Sequence, residues 1–196
     1  DVAISGSKNS ALGILAAAAL APGTCILENI PAHTDVFTMC RILRELGVRV
    51  HVDEGGRFHV DGRGLCRTRP SYDLVRKMRG SFYVAGLLLA RLGEAEVPLP
   101  GGCAIGSRPV DYHLRAFESL GATVTIEHGF MKARATELVG AKIYVNRSSV
   151  GATVNAILAA VLSRGTTTLE NAAKEPEVVD LCIFLNAMGA KIRGAG

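Results

Sequence analysis

The densest run of reactive chemistry in the chain is Gly101-Gly102-Cys103-Ala104-Ile105-Gly106-Ser107-Arg108-Pro109. Three glycines within six positions predict a turned or mobile loop rather than a strand. A thiol carried on such a loop is expected to be exposed, unlike most cysteines, which are buried and inert. Arg108 follows five residues on, and a nearby cation favours the thiolate. Cys103 is therefore the candidate reactive residue, because a thiol is one of the few side chains that exchange a proton near neutral pH. Cys66, next to Arg67 and near Arg69, also has positive charge close by, but no constellation of reactive groups accompanies it. Cys25, Cys40 and Cys182 are expected to be buried and unreactive.

A second set of candidates opens three apolar helices. Lys8-Asn9 precedes the first, Arg79 the second, and Arg147-Ser148-Ser149 the third. A helix N-terminus presents free N–H groups and partial positive charge, so it attracts anions. A cation there is unfavourable for an isolated helix, yet the pattern occurs three times. If the three helix starts lie on one side of the molecule, they form a pocket for phosphate or diphosphate, with Arg108 joining them. Asp111 and Asp35 are expected to be N-caps of two further helices. Glu175 and Glu177, around Pro176, fit a helix start. The five histidines have no metal-ligand spacing. His113 could face the reactive loop, and His51 and His59 are expected on the surface of a hairpin.

These residues need elements to position them, and an internal repeat supplies the plan. Three segments, approximately 1–68, 69–139 and 140–196, share one order: apolar helix, Gly, strand, loop, second helix, Gly, strand. The apolar helices are predicted near 9–21, 80–91 and 150–163, ending at Gly23, Gly93 and Gly165. Strands follow at Thr24–Leu27, Glu94–Val97 and Thr166–Leu169. The second helices begin near Asp35, Asp111 and Glu177 and end before Gly47, Gly121 and Gly189, glycines suited to a C-cap. Hairpins close the first two repeats, turning at Gly55-Gly56 and His128-Gly129. The first helix of each repeat is apolar all round and must be buried. The second is amphipathic, with Val36, Met39, Cys40, Leu43 and Leu46 opposite Arg41, Arg44 and Glu45. The expected fold is α/β, an inside-out barrel of three βαβαββ-type repeats with pseudo-threefold symmetry, the third repeat incomplete. One domain, 1–196, is expected, as part of a longer protein.

Composition narrows the partners. The chain is 48% hydrophobic, 20% charged and 5% aromatic, with a net charge of +4. The mild positive excess is not gathered into a basic stripe, which argues against a nucleic-acid partner. The apolar stretch from Asn9 to Leu20 is too short to span a bilayer, and no signal peptide opens the chain. Five cysteines without a C-x-x-C pair argue for a reducing cytoplasm and against a disulfide framework or zinc ribbon.

The motifs Ile4-Ser5-Gly6-Ser7-Lys8-Asn9-Ser10-Ala11-Leu12, Met78-Arg79, Leu99 to Asp111, Ser149-Val150-Gly151-Ala152-Thr153 and Glu170 to Glu177 resemble the enolpyruvyl transferase family. Within it they resemble the bacterial UDP-N-acetylglucosamine 1-carboxyvinyltransferases, enzymes of peptidoglycan synthesis. The Gly-Gly-Cys loop followed by Arg-Pro-Val-Asp separates that branch from enolpyruvylshikimate-phosphate synthase. The resemblance implies transfer of enolpyruvyl from phosphoenolpyruvate to the 3′-hydroxyl of UDP-N-acetylglucosamine, with phosphate released and no metal or other cofactor needed. It implies that Cys103 protonates C3 of phosphoenolpyruvate, can form a covalent adduct and is alkylated by fosfomycin. Lys8, Asn9, Arg79 and Arg108 are implied for phosphoenolpyruvate. Arg79, Arg108, Pro109, Val110, Asp111 and Tyr112, with Arg147, Ser148, Ser149 and Val150, are implied for the nucleotide sugar. Arg147 stands where relatives often carry Lys. A short N-terminal strand and a second domain, holding the catalytic Asp base, are expected outside this chain.

Two other classes remain open at this point. One is a related enolpyruvyl transferase or a UDP-sugar-binding module without turnover, which residues 1–196 alone are expected to resemble. The other is an RNA-phosphate-binding protein of the same fold.

Overall fold

The computed structural model describes residues 4–100, 110–145 and 148–196. The first repeat contains α1 (Lys8–Ala18), β1 (Thr24–Leu27), α2 (Thr34–Glu45), β2 (Arg49–Val52) and β3 (Phe58–Asp61). The second adds a short α3 (Tyr72–Val75), α4 (Val84–Leu92), β4 (Glu94–Pro98), α5 (Asp111–Ser119), β5 (Thr123–Glu127) and β6 (Phe130–Arg134). Then come β7 (Lys142–Tyr144), α6 (Val150–Ala160), β8 (Thr168–Glu170) and α7 (Pro176–Ala187). The fold is α/β. Among the described residues, no helix is long and apolar enough to cross a membrane.

The apolar helices pack at the centre because they have no polar face to offer water. Leu15 in α1, Leu87 and Leu88 in α4, and Leu158 in α6 are all fully buried. Small residues bring the backbones together. A Cβ on Gly13 would sit 4.0 Å from Val154 of α6, and one on Gly80 only 2.7 Å from Leu12 of α1. Gly86 of α4 lies against Asn155 of α6, where a Cβ would come within 2.7 Å of the Asn155 carbonyl. The second helices pack outside these, α2 and α7 on α1, and α5 on α6; α2 and α5 are amphipathic as expected, whereas α7 is apolar on both sides and leaves Ile183 exposed. In α2 the stripe Val36, Met39, Cys40, Ile42 and Leu43 faces inward while Arg41 and Arg44 are exposed.

Sheets flank the helices. Two are three-stranded and antiparallel, in the order β1-β3-β2 and β4-β6-β5. Their inner residues Val60, Val97 and Met131 are fully buried. The second hairpin turns through His128 (φ 51°) and Gly129 (φ 80°), the pair of positive φ values that a two-residue hairpin turn needs. His51 and His59 are cross-strand partners in the first hairpin, with imidazoles stacked 4.4 Å apart. His51 is exposed, but His59 is half-buried, its Nε2 3.0 Å from Asp53.

The structure departs from the sequence expectations in several places. The second apolar helix does not begin as an α-helix. Residues Arg79–Tyr83 form a 3-10 helix, and α4 starts at Val84. The buried Ser81 hydroxyl, shared between the Val75 and Met78 carbonyls, holds this tighter turn. The third unit has a two-stranded parallel sheet in which Lys142–Tyr144 pairs with Thr168–Glu170. The strand expected at Thr166–Leu169 is therefore shifted, and β7 was not anticipated. Neither Asp35 nor Asp111 is an N-cap. His33 caps α2, its Nδ1 accepting from the Asp35 N–H at 3.0 Å. Val110 occupies the cap of α5 without a side-chain bond.

Candidate functional site

A cavity of about 700 Å³ opens where the inner helices begin. Ser7 caps α1, its Oγ accepting from the Ser10 N–H at 3.3 Å, which brings Lys8 and Asn9 to the rim. Ser149 does the same for α6, accepting from the Ala152 N–H at 3.4 Å. Arg79 opens the 3-10 helix that leads into α4. Lys8, Asn9, Arg79, Tyr112, Ser148, Ser149 and Val150 all line the cavity. These residues come from all three repeats, and the packing of α1, α4 and α6 brings them together.

Carboxylates enter the same space. Asp35, Glu175 and Glu177 line it. Lys8 Nζ bonds to Asp35 Oδ2 at 3.1 Å, and Asn9 Nδ2 donates to Glu177 Oε1 at 3.2 Å. Farther along α1 and α7, the Ser10 hydroxyl donates to the exposed Asp180 at 2.6 Å. The described cavity wall is thus a mixed field of two cations and three carboxylates. An incoming anion would compete with Asp35 for Lys8. In the sequence Asp35, Glu175 and Glu177 read as helix-start residues, and nothing local shows that their helices point at one cavity.

His113, which the sequence left free to face the loop at Cys103, sits in the cavity wall; that loop lies outside the described residues. The histidine is 5% exposed and lines the cavity beside Phe82, which meets its ring edge-on at 5.1 Å. Burial pushes its imidazole down to about 4, and the Arg79 charge adds to that. Tyr83, also in the wall, is pushed up to about 12 by burial and by the Glu177 carboxylate, with Arg79 opposing. Burial also raises Cys40, to about 11, and raises Cys25 and Cys182. That suits thiols with packing roles. Cys66 is exposed.

Four of the expected site residues, Cys103, Arg108, Pro109 and Arg147, lie outside the described residues. Val110 is half-buried and packed on the core, and Asp111 is exposed. Neither lines the cavity among the described residues. Among those residues no group of three or more His, Cys, Asp or Glu side chains comes together as a metal site.

Comparison with known proteins gives consistent matches. UDP-N-acetylglucosamine 1-carboxyvinyltransferase 2 of Symbiobacterium thermophilum is 55% identical over 196 residues, covering 100% of this chain and 46% of that protein. The enzyme of the same name, without the numeral, from Gloeobacter violaceus is 52% identical, over 100% of this chain and 43% of its own. The chain spans less than half the length of these relatives. Among solved structures, the enolpyruvyl transferase NikO from Streptomyces tendae superposes with a TM-score of 0.84 at 29% identity, covering 98% of this chain and 45% of that one. EPSP synthase from Acinetobacter baumannii, at 19% identity and a TM-score of 0.77, covers 100% of this chain and 45% of its own and shares the fold. The model of one family matches residues 1–196, so the chain belongs to the EPSP synthase (3-phosphoshikimate 1-carboxyvinyltransferase) family.

Proposed function

We propose that the protein containing this chain transfers enolpyruvyl from phosphoenolpyruvate to the 3′-hydroxyl of UDP-N-acetylglucosamine, releasing phosphate. One observation carries the reading: the starts of the inner helices meet at a single cavity whose wall holds Lys8, Arg79 and the capping Ser149. Helix N-termini and fixed cations stabilise anionic groups without reorganising, which suits an enol phosphate beside a nucleotide diphosphate. The names of the relatives from Symbiobacterium and Gloeobacter support the choice of substrates.

In this reading Lys8, Asn9, Arg79 and Arg108 hold phosphoenolpyruvate. Arg79 also reaches the nucleotide sugar, together with Arg108 to Tyr112 and Arg147 to Val150. Cys103 donates the proton to C3 as the acceptor oxygen attacks C2. The tetrahedral adduct then loses phosphate from C2 and a proton from C3, the Cys103 thiolate taking the proton back, which gives the enolpyruvyl ether. The base comes from the remainder of the longer protein. All of this chemistry proceeds by proton transfer and electrostatics, in the bacterial cytoplasm, where UDP-sugars are built into peptidoglycan precursors.

The name of the matching family and the likeness to NikO favour a second reading, an enolpyruvyl transferase with another acceptor. One assay separates the two. The full-length protein is given phosphoenolpyruvate with either UDP-N-acetylglucosamine or 3-phosphoshikimate, and phosphate release is followed. Turnover with the UDP-sugar alone is expected. Turnover with 3-phosphoshikimate alone would replace the first reading by the second.

A further inference from the structure

Asn155 stands near the middle of α6, a helix that is otherwise almost wholly apolar, and is 0% exposed. Its amide is fully used. The Gly86 N–H donates to Oδ1 at 2.8 Å. Nδ2 donates to the Phe82 carbonyl at 3.1 Å and lies 2.9 Å from His113 Nδ1. A backbone donor on one side and a backbone acceptor on another fix which end of the amide is oxygen. The NH₂ group therefore faces His113, and since it can only donate, Nδ1 must accept. A neutral imidazole that accepts at Nδ1 carries its proton at Nε2.

Among the described residues Nε2 has no hydrogen-bond partner, while the ring lines the cavity. The Cε1–Nε2 edge lies over Gly151 in the first turn of α6. A Cβ there would come within 3.1 Å of Cε1 and 3.3 Å of Nε2. Any side chain at 151 would crowd this edge, so glycine keeps it open. The charged groups around the same space are Arg79, Lys8, Asp35, Glu175 and Glu177. Burial and Arg79 both keep the ring neutral, so it serves as a donor without adding charge.

We propose that Asn155 is a positioning residue that locks His113 in its Nε2–H tautomer, so that the ring donates a hydrogen bond to a phosphoryl oxygen of the substrate in the cavity. The inference deepens the proposed function and rests on it for the identity of the ligand. The packing of Gly86 on Asn155 ties this tautomer to the α4–α6 contact, so three inner-core residues dictate one proton at the cavity wall.

Nitrogen-15 NMR of the imidazole in the full-length protein tests this. For His113 without ligand, the expected pattern is a protonated Nε2 and an unprotonated Nδ1 at pH 7. Adding UDP-N-acetylglucosamine should shift Nε2 and leave Nδ1 in place. Inorganic phosphate serves as a second probe. Asn155→Asp keeps an acceptor for the Gly86 N–H but sets a carboxylate against Nδ1, which must then carry the proton. In that variant the KM for UDP-N-acetylglucosamine at pH 8 should rise about tenfold while kcat changes less than about threefold, the signature of a lost binding contact. A merely structural role for Asn155 would lower stability without moving the tautomer. If Asn155→Asp does not fold, the wild-type spectra still decide. A protonated Nδ1, or an Nε2 resonance that neither ligand moves, would overturn the proposal. Absence of enolpyruvyl transfer by the wild type would instead overturn the proposed function and leave the tautomer result standing.

Discussion

Lys8 Nζ lies 3.1 Å from Asp35 Oδ2, so the cation that opens α1 meets the cavity with its charge already matched from α2. Both side chains are about a third exposed. The pair is therefore weak and screened by salt. Asp35→Asn should free the ammonium for an incoming anion and lower the KM for phosphoenolpyruvate about two- to threefold at low salt. The gain should fade as salt is added. Lys8→Ala should raise the same KM by about tenfold or more, because a charge-assisted hydrogen bond is lost. A higher KM in Asp35→Asn would show that the carboxylate holds Lys8 in place instead of competing for it.

The α4–α6 contact allows no side chain at 86. A Cβ there would lie 2.7 Å from the Asn155 carbonyl oxygen and 3.0 Å from Leu158. Because backbone must move, Gly86→Ala should destabilise the fold by about 1–3 kcal/mol. Gly23→Ala is the control, since nothing lies within 4 Å of its Cβ, and it should change stability by less than about 0.5 kcal/mol. Urea midpoints at pH 7 report both. Equal midpoints for the two variants would mean that the inner helices adjust easily.

His113 makes stability depend on pH. Its folded-state value, about 4, lies below the ordinary histidine value of 6.5. As pH falls through 6.5, the unfolded chain takes up the proton first, so stability falls with pH until both states are protonated near pH 4. Urea midpoints should therefore rise from pH 4 to pH 6.5, and His113→Phe should flatten that rise. A wild-type midpoint that stays level over this range would contradict the buried neutral imidazole.

Cys103 carries the proton-transfer role in the proposed reaction. In the full-length protein, Cys103→Ala should abolish turnover. Cys103→Asp should keep an acid at the position, retain measurable turnover and resist fosfomycin. Initial rates with and without fosfomycin separate these outcomes. Full activity in Cys103→Ala would remove the thiol from the mechanism.

The helices were legible because their patterns are long. Residues 9–20 contain no charge, and the stripe from Val36 to Leu46 repeats with helical period, so burial of one helix and amphipathicity of the other followed directly. The cations of the described cavity wall were legible because Lys8 and Arg79 each open a helical segment. What escaped was set by distant neighbours. No local signal shows that Lys8 meets Asp35, 27 residues on, or that Arg91 Nη1 reaches across to the Leu20 carbonyl at 2.7 Å. The caps were misread for a related reason: Asp is a good cap in isolation, but His33 reached the Asp35 N–H first. β7 escaped because three residues, with no hairpin turn, join a parallel partner 26 positions away. Asn155 alone left a trace that could have been followed. An amide in the middle of an apolar helix must find partners, and that requirement points to a network from the sequence alone.

Ala16, Ala17, Ala18 and Ala19 are all fully buried around the end of α1. A methyl group has no rotamer to change. The spacing between these helices is consequently a fixed gauge block, set by the thickness of backbone and methyl and not by the adjustable reach of longer side chains. Lys8, at the other end of the same rod, inherits that tolerance. An enlarged residue at any of these four positions would act as a shim, displacing a charge at the distant mouth of the cavity by tilting the helix that carries it.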